Sequence, residues 1–145
     1  YQKRLATYRP FGSPIESPAG IQGKATQFVM ILDALQLRLL EKIRSDLAGY
    51  SVVRSTSPLD NRAIWLEIFA GGIHKGNSCQ TLLKKLNINC KEVAGLGNDY
   101  NDIDFLDICA EAYLVANAPV NLQRHYKLVR SDKEEGFTEF ISKVL

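Results

Sequence analysis

No run of apolar residues in this chain is long enough to cross a bilayer; Phe28 to Leu32, one of the longest, falls well short of the roughly 20 residues that a spanning helix needs. The opening residues, Tyr1-Gln2-Lys3-Arg4, do not lead into a signal-peptide core. There is no block of one charge either. Lys and Arg number 18 against 16 Asp and Glu, a net charge of +2 spread along the chain, which gives no footprint for a nucleic acid or an anionic membrane. The three cysteines, Cys79, Cys90 and Cys109, are an odd set without a CxxC pair, which argues against a disulfide framework or a zinc cluster and for reduced, mostly buried thiols. His74 and His125 lie far apart without metal-ligand spacing, so neither carries a catalytic assignment. Methionine is nearly absent: the chain starts at Tyr1 and its sole Met is Met30, from which we expect a fragment of a longer protein. These absences leave a soluble, cytoplasmic protein with neither nucleic acid nor membrane as its partner.

What is present suits one folded unit. The 145 residues are 46% hydrophobic and 23% charged, a balance that disfavours disorder and low-complexity tails. Residues 1–23 interleave Pro10, Gly12, Pro14, Pro18, Gly20 and Gly23 with small polar residues, which is loop chemistry after at most one short helix. Phe28 to Leu32 then predicts a buried strand, with Asp33 placed to cap a following helix. Leu35, Leu39, Ile43 and Leu47 recur at every fourth position, as an amphipathic helix requires, and Gly49 stops the pattern. Ser51 to Thr56 and Ala63 to Phe69 read as strands on either side of the turn Ser57-Pro58-Leu59-Asp60-Asn61, together a β-hairpin.

Beyond Ala70-Gly71-Gly72, helices and strands alternate. A helix from about Lys75 to Leu86 is expected to turn Leu82, Leu83 and Leu86 toward a core. Strands follow at Val93 to Leu96, Ala112 to Val115 and Lys127 to Val129, with helices at Ile103 to Cys109, from Pro119, and at Phe137 to Val144. Such alternation implies a parallel sheet covered by helices, with the ligand site at the C-terminal ends of the strands. Gly97 to Asp102 and Asn117 then share one rim. So few central strands leave a large apolar face uncovered, and something else must cover it.

Two clusters on this frame carry chemistry. In Gly95-Leu96-Gly97-Asn98-Asp99-Tyr100-Asn101-Asp102, carboxylates and carboxamides crowd a turn directly after a buried strand, where they can gather oxygen ligands for Mg²⁺. The same residues also suit an ordinary surface turn with an Asx cap. In Gly72-Ile73-His74-Lys75-Gly76, a lysine stands at the mouth of a helix, where amides and an ammonium form an anion site, although lysines are common on any surface. Neither cluster has P-loop spacing, and no Gly-x-Gly-x-x-Gly turn of a dinucleotide fold follows a strand.

The segment from Ile64 onward resembles the C-terminal half of haloacid dehalogenase-superfamily phosphatases, in particular the Cof-like branch that includes sucrose-phosphate and mannosyl-phosphoglycerate phosphatases. The matching pieces, in order, are Trp65-Leu66-Glu67-Ile68 with Ile73-His74-Lys75-Gly76, then Gly97 to Leu106, then Val115-Ala116-Asn117-Ala118, and finally Glu134-Glu135-Gly136-Phe137. The resemblance implies an α/β fold: the C-terminal half of a doubly wound, parallel-sheet core in residues 71–145, and the second part of an α/β cap in residues 1–70, of which 1–23 are loop-rich. It implies a Mg²⁺-dependent phosphomonoesterase in which an aspartate attacks phosphorus and water then hydrolyses the aspartyl-phosphate. The substrate class is a sugar phosphate or another small phosphorylated metabolite. Lys75 then pairs the nucleophile with the phosphoryl group, Asn101 and Asn117 lie at the phosphate, and Asp102 falls at the metal with Asn98 or, in a remodelled turn, with Asp99.

The chain departs from the family pattern at two places. Where the motif Gly-Asp-x-x-Asn-Asp has its first acid, this sequence has Asn98, with a carboxylate displaced to Asp99. The attacking Asp-x-Asp-x-Thr turn does not occur; Asp33 ends an apolar strand but is followed by Ala34 and Leu35, and reads as a helix cap. The attacking acid is therefore expected in an N-terminal half of the same protein outside this chain. On the hairpin, Arg54, Ser55, Asp60 and Arg62 are candidate specificity contacts, with a solvated tip as the plainer reading. A different class of function is also open: a module in which Asn98 marks the loss of turnover, and which binds a phosphorylated ligand or a protein partner.

Overall fold

The computed structural model describes residue 6, residues 9–57 (Ala34 by its backbone) and residues 63–145. Asp60 and Arg62 lie outside the described residues. Residues 9–27 form exposed turns and bends with one 3-10 turn, Pro18–Gly20, in keeping with their Pro and Gly content.

The first sheet is antiparallel, with strands β1 (Phe28–Asp33), β2 (Tyr50–Thr56) and β3 (Ala63–Ala70) in the order β1-β3-β2. The hairpin partner β3 is the central strand, with Leu66 opposite Met30 on one side and Arg54 on the other. One face is closed by helix α1 (Leu39–Asp46): Leu32, Leu40, Ile64 and Leu66 bury together, with Ile43 and Val52 packed against them. The four-residue leucine spacing predicts a helix from Ala34, but the helix begins only at Leu39. Asp33 accounts for the difference. Its Oδ1 accepts the Leu35 N–H at 2.9 Å and its own N–H donates to Gln36 Oε1 at 3.0 Å, closing a 3-10 turn over Ala34–Gln36 that leaves Leu35 89% exposed.

The second sheet is parallel: β4 (Ala94–Gly97), β5 (Glu111–Val115) and β6 (Lys127–Val129), in sequential order. Helix α2 (Lys75–Leu86) leads into it. The short helices α3 (Ile103–Leu106) and α4 (Val120–Gln123) make the crossovers, and α5 (Gly136–Val144) packs back over the strands. Leu106, Leu114, Val115, Leu122 and Val129 form its core, with Tyr113 and Phe140 meeting edge to face at 5.4 Å between ring centres. The α/β class and the parallel sheet are as the alternating pattern predicts.

The leucine stripe of α2 departs from expectation. Leu82 and Leu86 are 54% and 57% exposed, because α2 approaches α3 through its N-terminal turn and nothing among the described residues lies over the leucines. Cys90 is likewise exposed, while Cys79 and Cys109 are half-buried. Among the described residues no helix is long and apolar enough to cross a membrane.

Two close contacts hold the pieces. A Cβ on Gly76 would stand 2.4 Å from the carbonyl oxygen of Asp104, so α2 touches α3 backbone to backbone. The other contact joins the two sheets. The N–H of Thr56, at the end of β2, donates to Asp99 Oδ2 at 2.6 Å and its hydroxyl donates to the same oxygen, while the Arg54 guanidinium lies 3.6 Å from the centre of the Tyr100 ring.

In an open helix Gly→Ala gains about 1 kcal/mol; for Gly76→Ala the clash with fixed backbone outweighs that gain, and a net loss of about 1–3 kcal/mol is expected in chemical denaturation. A more stable Gly76→Ala protein would contradict the close approach. Thr56→Val keeps the backbone donor but removes one donor from a buried carboxylate, and should lower stability by about 1–2 kcal/mol; an unchanged midpoint would show that the hydroxyl contact contributes nothing.

Candidate functional site

The site forms where β4 and β5 end. Gly97 closes β4, and a Cβ there would meet Asp102 Cβ at 2.8 Å, so only glycine lets the chain fold straight back on itself. Asp102 is 5% exposed. Its Oδ2 accepts the backbone N–H groups of Asn98 at 2.8 Å and Asp99 at 3.2 Å, and its Oδ1 accepts from Lys75 Nζ. A buried charge is tolerable only when so satisfied. Asp99 completes a reciprocal cap: its Oδ1 accepts the Tyr100 N–H at 2.7 Å, and its Oδ2 is occupied by Thr56. Tyr100 is fixed in turn by its hydroxyl, which donates to Asn121 Oδ1 at 2.7 Å.

Lys75 is the first residue of α2. His74 precedes it as the N-cap and Asn77 Nδ2 donates to Gly72 O at 2.8 Å, so the entry to the helix is closed by side chains. From this position the half-exposed lysine spans to the turn, where Nζ meets Asp102 and lies 3.3 Å from Asn101 Oδ1. His74 Nδ1 stands 3.2 Å from Asp104, an outward contact that does not reach the turn's carboxylates.

Two clefts open on either side of this pair. One, of about 430 Å³, lies on the rim and is lined by Lys75, Asn98, Asp102, Asp132 and Glu135. The other, of about 560 Å³, lies between the same Lys75 and Asp102 and the open face of the antiparallel sheet, which contributes Val53, Glu67 and Phe69. Asn117 exchanges hydrogen bonds with Asp132, donating from Nδ2 to Oδ1 at 2.8 Å and accepting the Asp132 N–H at 3.3 Å. It thus reaches the rim cleft through Asp132.

Lys75, Asn98, Asn101 and Asp102 are therefore brought together and Asn117 stands across the rim; the carboxylates of Asp99 and Asp102 both accept from protein donors on each oxygen, but Asp102 lines the rim cleft and Asp99 does not. Arg54 lies over Tyr100 and Ser55 is buried, so neither lines the second cleft. The sequence reading places Thr56, Glu67 and Phe69 in strands and assigns none of them a role at the site. Glu67 alone had a visible signal, as the single charge in the otherwise apolar Ile64 to Ala70.

Oxygen donors at the rim, the Asn98 amide and Asp102, suit a hard cation that keeps most of its waters. They are an incomplete set: among the described residues no three His, Cys, Asp or Glu side chains form a metal-holding group. Cys109 is a poor candidate nucleophile. Burial, reinforced by Cys79 and Cys90, pushes the Cys109 thiol up to about 11, and it donates to the Phe105 carbonyl at 3.3 Å.

A Buchnera aphidicola protein described as a candidate phosphatase is 26% identical over 82 residues, covering 54% of this chain and 30% of its own length. The crystal structure of SMU.1108c from Streptococcus mutans superposes with a TM-score of 0.79 at 21% identity, over 99% of this chain and 54% of that one. The subclass IIB sugar phosphatase BT4131 gives 0.66 at 14% identity, over 81% of this chain and 42% of that one. The chain thus spans about half the length, or less, of these relatives. Residues 12–141 match the haloacid dehalogenase-like hydrolases as a family, and to that family the chain belongs.

Proposed function

We propose that this chain is the part of a Mg²⁺-dependent phosphomonoesterase that grips the phosphoryl group of a sugar phosphate or a similar small metabolite in the cytoplasm. The observation that carries the reading is the meeting of Lys75 with Asn101 and Asp102 at the C-terminal rim of the parallel sheet. Residues 71–145 are read as the C-terminal half of the catalytic core and residues 1–70 as the second part of a cap over it. The exposed Leu82 and Leu86 support a partner surface in an N-terminal half of the same protein, which also supplies the attacking aspartate.

In this reading the ammonium of Lys75 offsets the repulsion between an anionic nucleophile and an anionic phosphate, and Asp102 holds that ammonium at the rim. Asn101 donates to a phosphoryl oxygen, while Asn117 and Asp132 brace the far wall. Asn98 and Asp102, together with an acid from the N-terminal half, would hold the cation, which when bound would supply positive charge for the phosphoryl oxygens. Asp99 serves the fold, since its carboxylate joins Thr56 to Tyr100 and lies outside the lining of the rim cleft.

One observation favours a second reading, a module that binds a phosphorylated ligand without turnover. Asn98 is a neutral donor where the family has an acid, which lowers the affinity for Mg²⁺.

In the full-length protein Lys75→Ala should lose about 100-fold or more of phosphatase kcat, measured at a temperature where the variant is still folded; an unaltered rate would remove Lys75 from the mechanism. Asn98→Asp should lower the Mg²⁺ concentration needed for half-maximal activity. Absence of activity in both wild type and Asn98→Asp would favour the binding module.

A further inference from the structure

Glu67 sits at the middle of β3, the central strand of the antiparallel sheet, on the face turned away from α1. Its cross-strand neighbours are Val29 and Val53, and Trp65 and Phe69 flank it on its own strand face. Four apolar neighbours surround one carboxylate. Among the described residues Glu67 has neither a hydrogen-bond donor nor an ion-pair partner, yet it is half-buried. A carboxylate on a rigid central strand in such a setting is costly to stability unless something outside the fold supplies donors.

It faces the 560 Å³ cleft whose opposite wall carries Lys75, Asn101 and Asp102. A phosphoryl group held at Lys75 is repelled by a second anion, so Glu67 suits only the uncharged end of a phosphate ester. Resting on the phosphatase reading above, we propose that Glu67 is the residue that selects the leaving group, by accepting hydrogen bonds from the hydroxyls of a polyhydroxylated moiety. Phe69, Val53 and Ile73 give the same cleft apolar surface for the C–H faces of a sugar or polyol. An ammonium-bearing leaving group fits less well. It needs several acceptors, and among the described residues the one other carboxylate lining the cleft, Asp102, already accepts from Lys75 and two backbone amides.

The test compares kcat/KM of the full-length enzyme on a hexose 6-phosphate, on p-nitrophenyl phosphate, whose leaving group carries no further hydroxyl, and on phosphoethanolamine. Glu67→Leu should lower the ratio of hexose phosphate to p-nitrophenyl phosphate by about 10- to 100-fold. Glu67→Gln, isosteric and so free of a folding objection, keeps one acceptor and should lower the ratio by a smaller factor. A ratio unchanged in both variants overturns the assignment of Glu67. A wild-type preference for phosphoethanolamine, lost equally in both variants, overturns the hydroxyl chemistry. Absence of wild-type turnover on all three substrates overturns the phosphatase reading itself, and the selection role falls with it.

Discussion

The ion pair between Lys75 and Asp102 is the constraint to which the rest of this structure conforms. Among the described residues other charge pairs are of another kind: Lys42 and Asp46 are 70% and 58% exposed, and such a pair contributes about 0–1 kcal/mol at best. Asp102 is buried, and its two backbone donors and the half-exposed lysine together supply the hydrogen bonds that its carboxylate needs there. The turn that provides the donors exists because Gly97 has no side chain. Rim geometry, turn and lysine are therefore one interdependent unit.

The second dependence runs between the sheets. Asp99 spends its carboxylate on Thr56 and Tyr100, so the acid beside Asn98 ties the antiparallel sheet to the rim. The same tie sets the open face of that sheet, with Glu67 at its centre, against Lys75. A cleft with a cationic wall, a carboxylate wall and apolar flanks is the outcome of hydrogen bonds from Thr56 and of the backbone contact at Gly76.

The elements were largely legible because their signals are local. Alternating apolar strands and helices from Gly72 onward, the Gly97 turn and the helix start at Lys75 can all be read from residue order. Long-range partners cannot. That Asp99 bonds to Thr56, 43 positions away, leaves no periodic trace, and neither does the clustering of Val29, Val53, Trp65 and Phe69 around Glu67. The leucines of α2 were read as core because their spacing marks an apolar face, but spacing does not say which residues lie opposite. Asp33 misled the helix boundary for a related reason, since its carboxylate competes with the helix for nearby N–H groups.

The most direct measurement is a crystal structure of the full-length protein with Mg²⁺ and a phosphate mimic such as tungstate. The account predicts the mimic within about 3 Å of Lys75 Nζ, with the cation bound by the Asn98 amide oxygen and Asp102. A mimic bound elsewhere, with Lys75 turned from it and the Asn98 to Asp102 turn free of the cation, would contradict it.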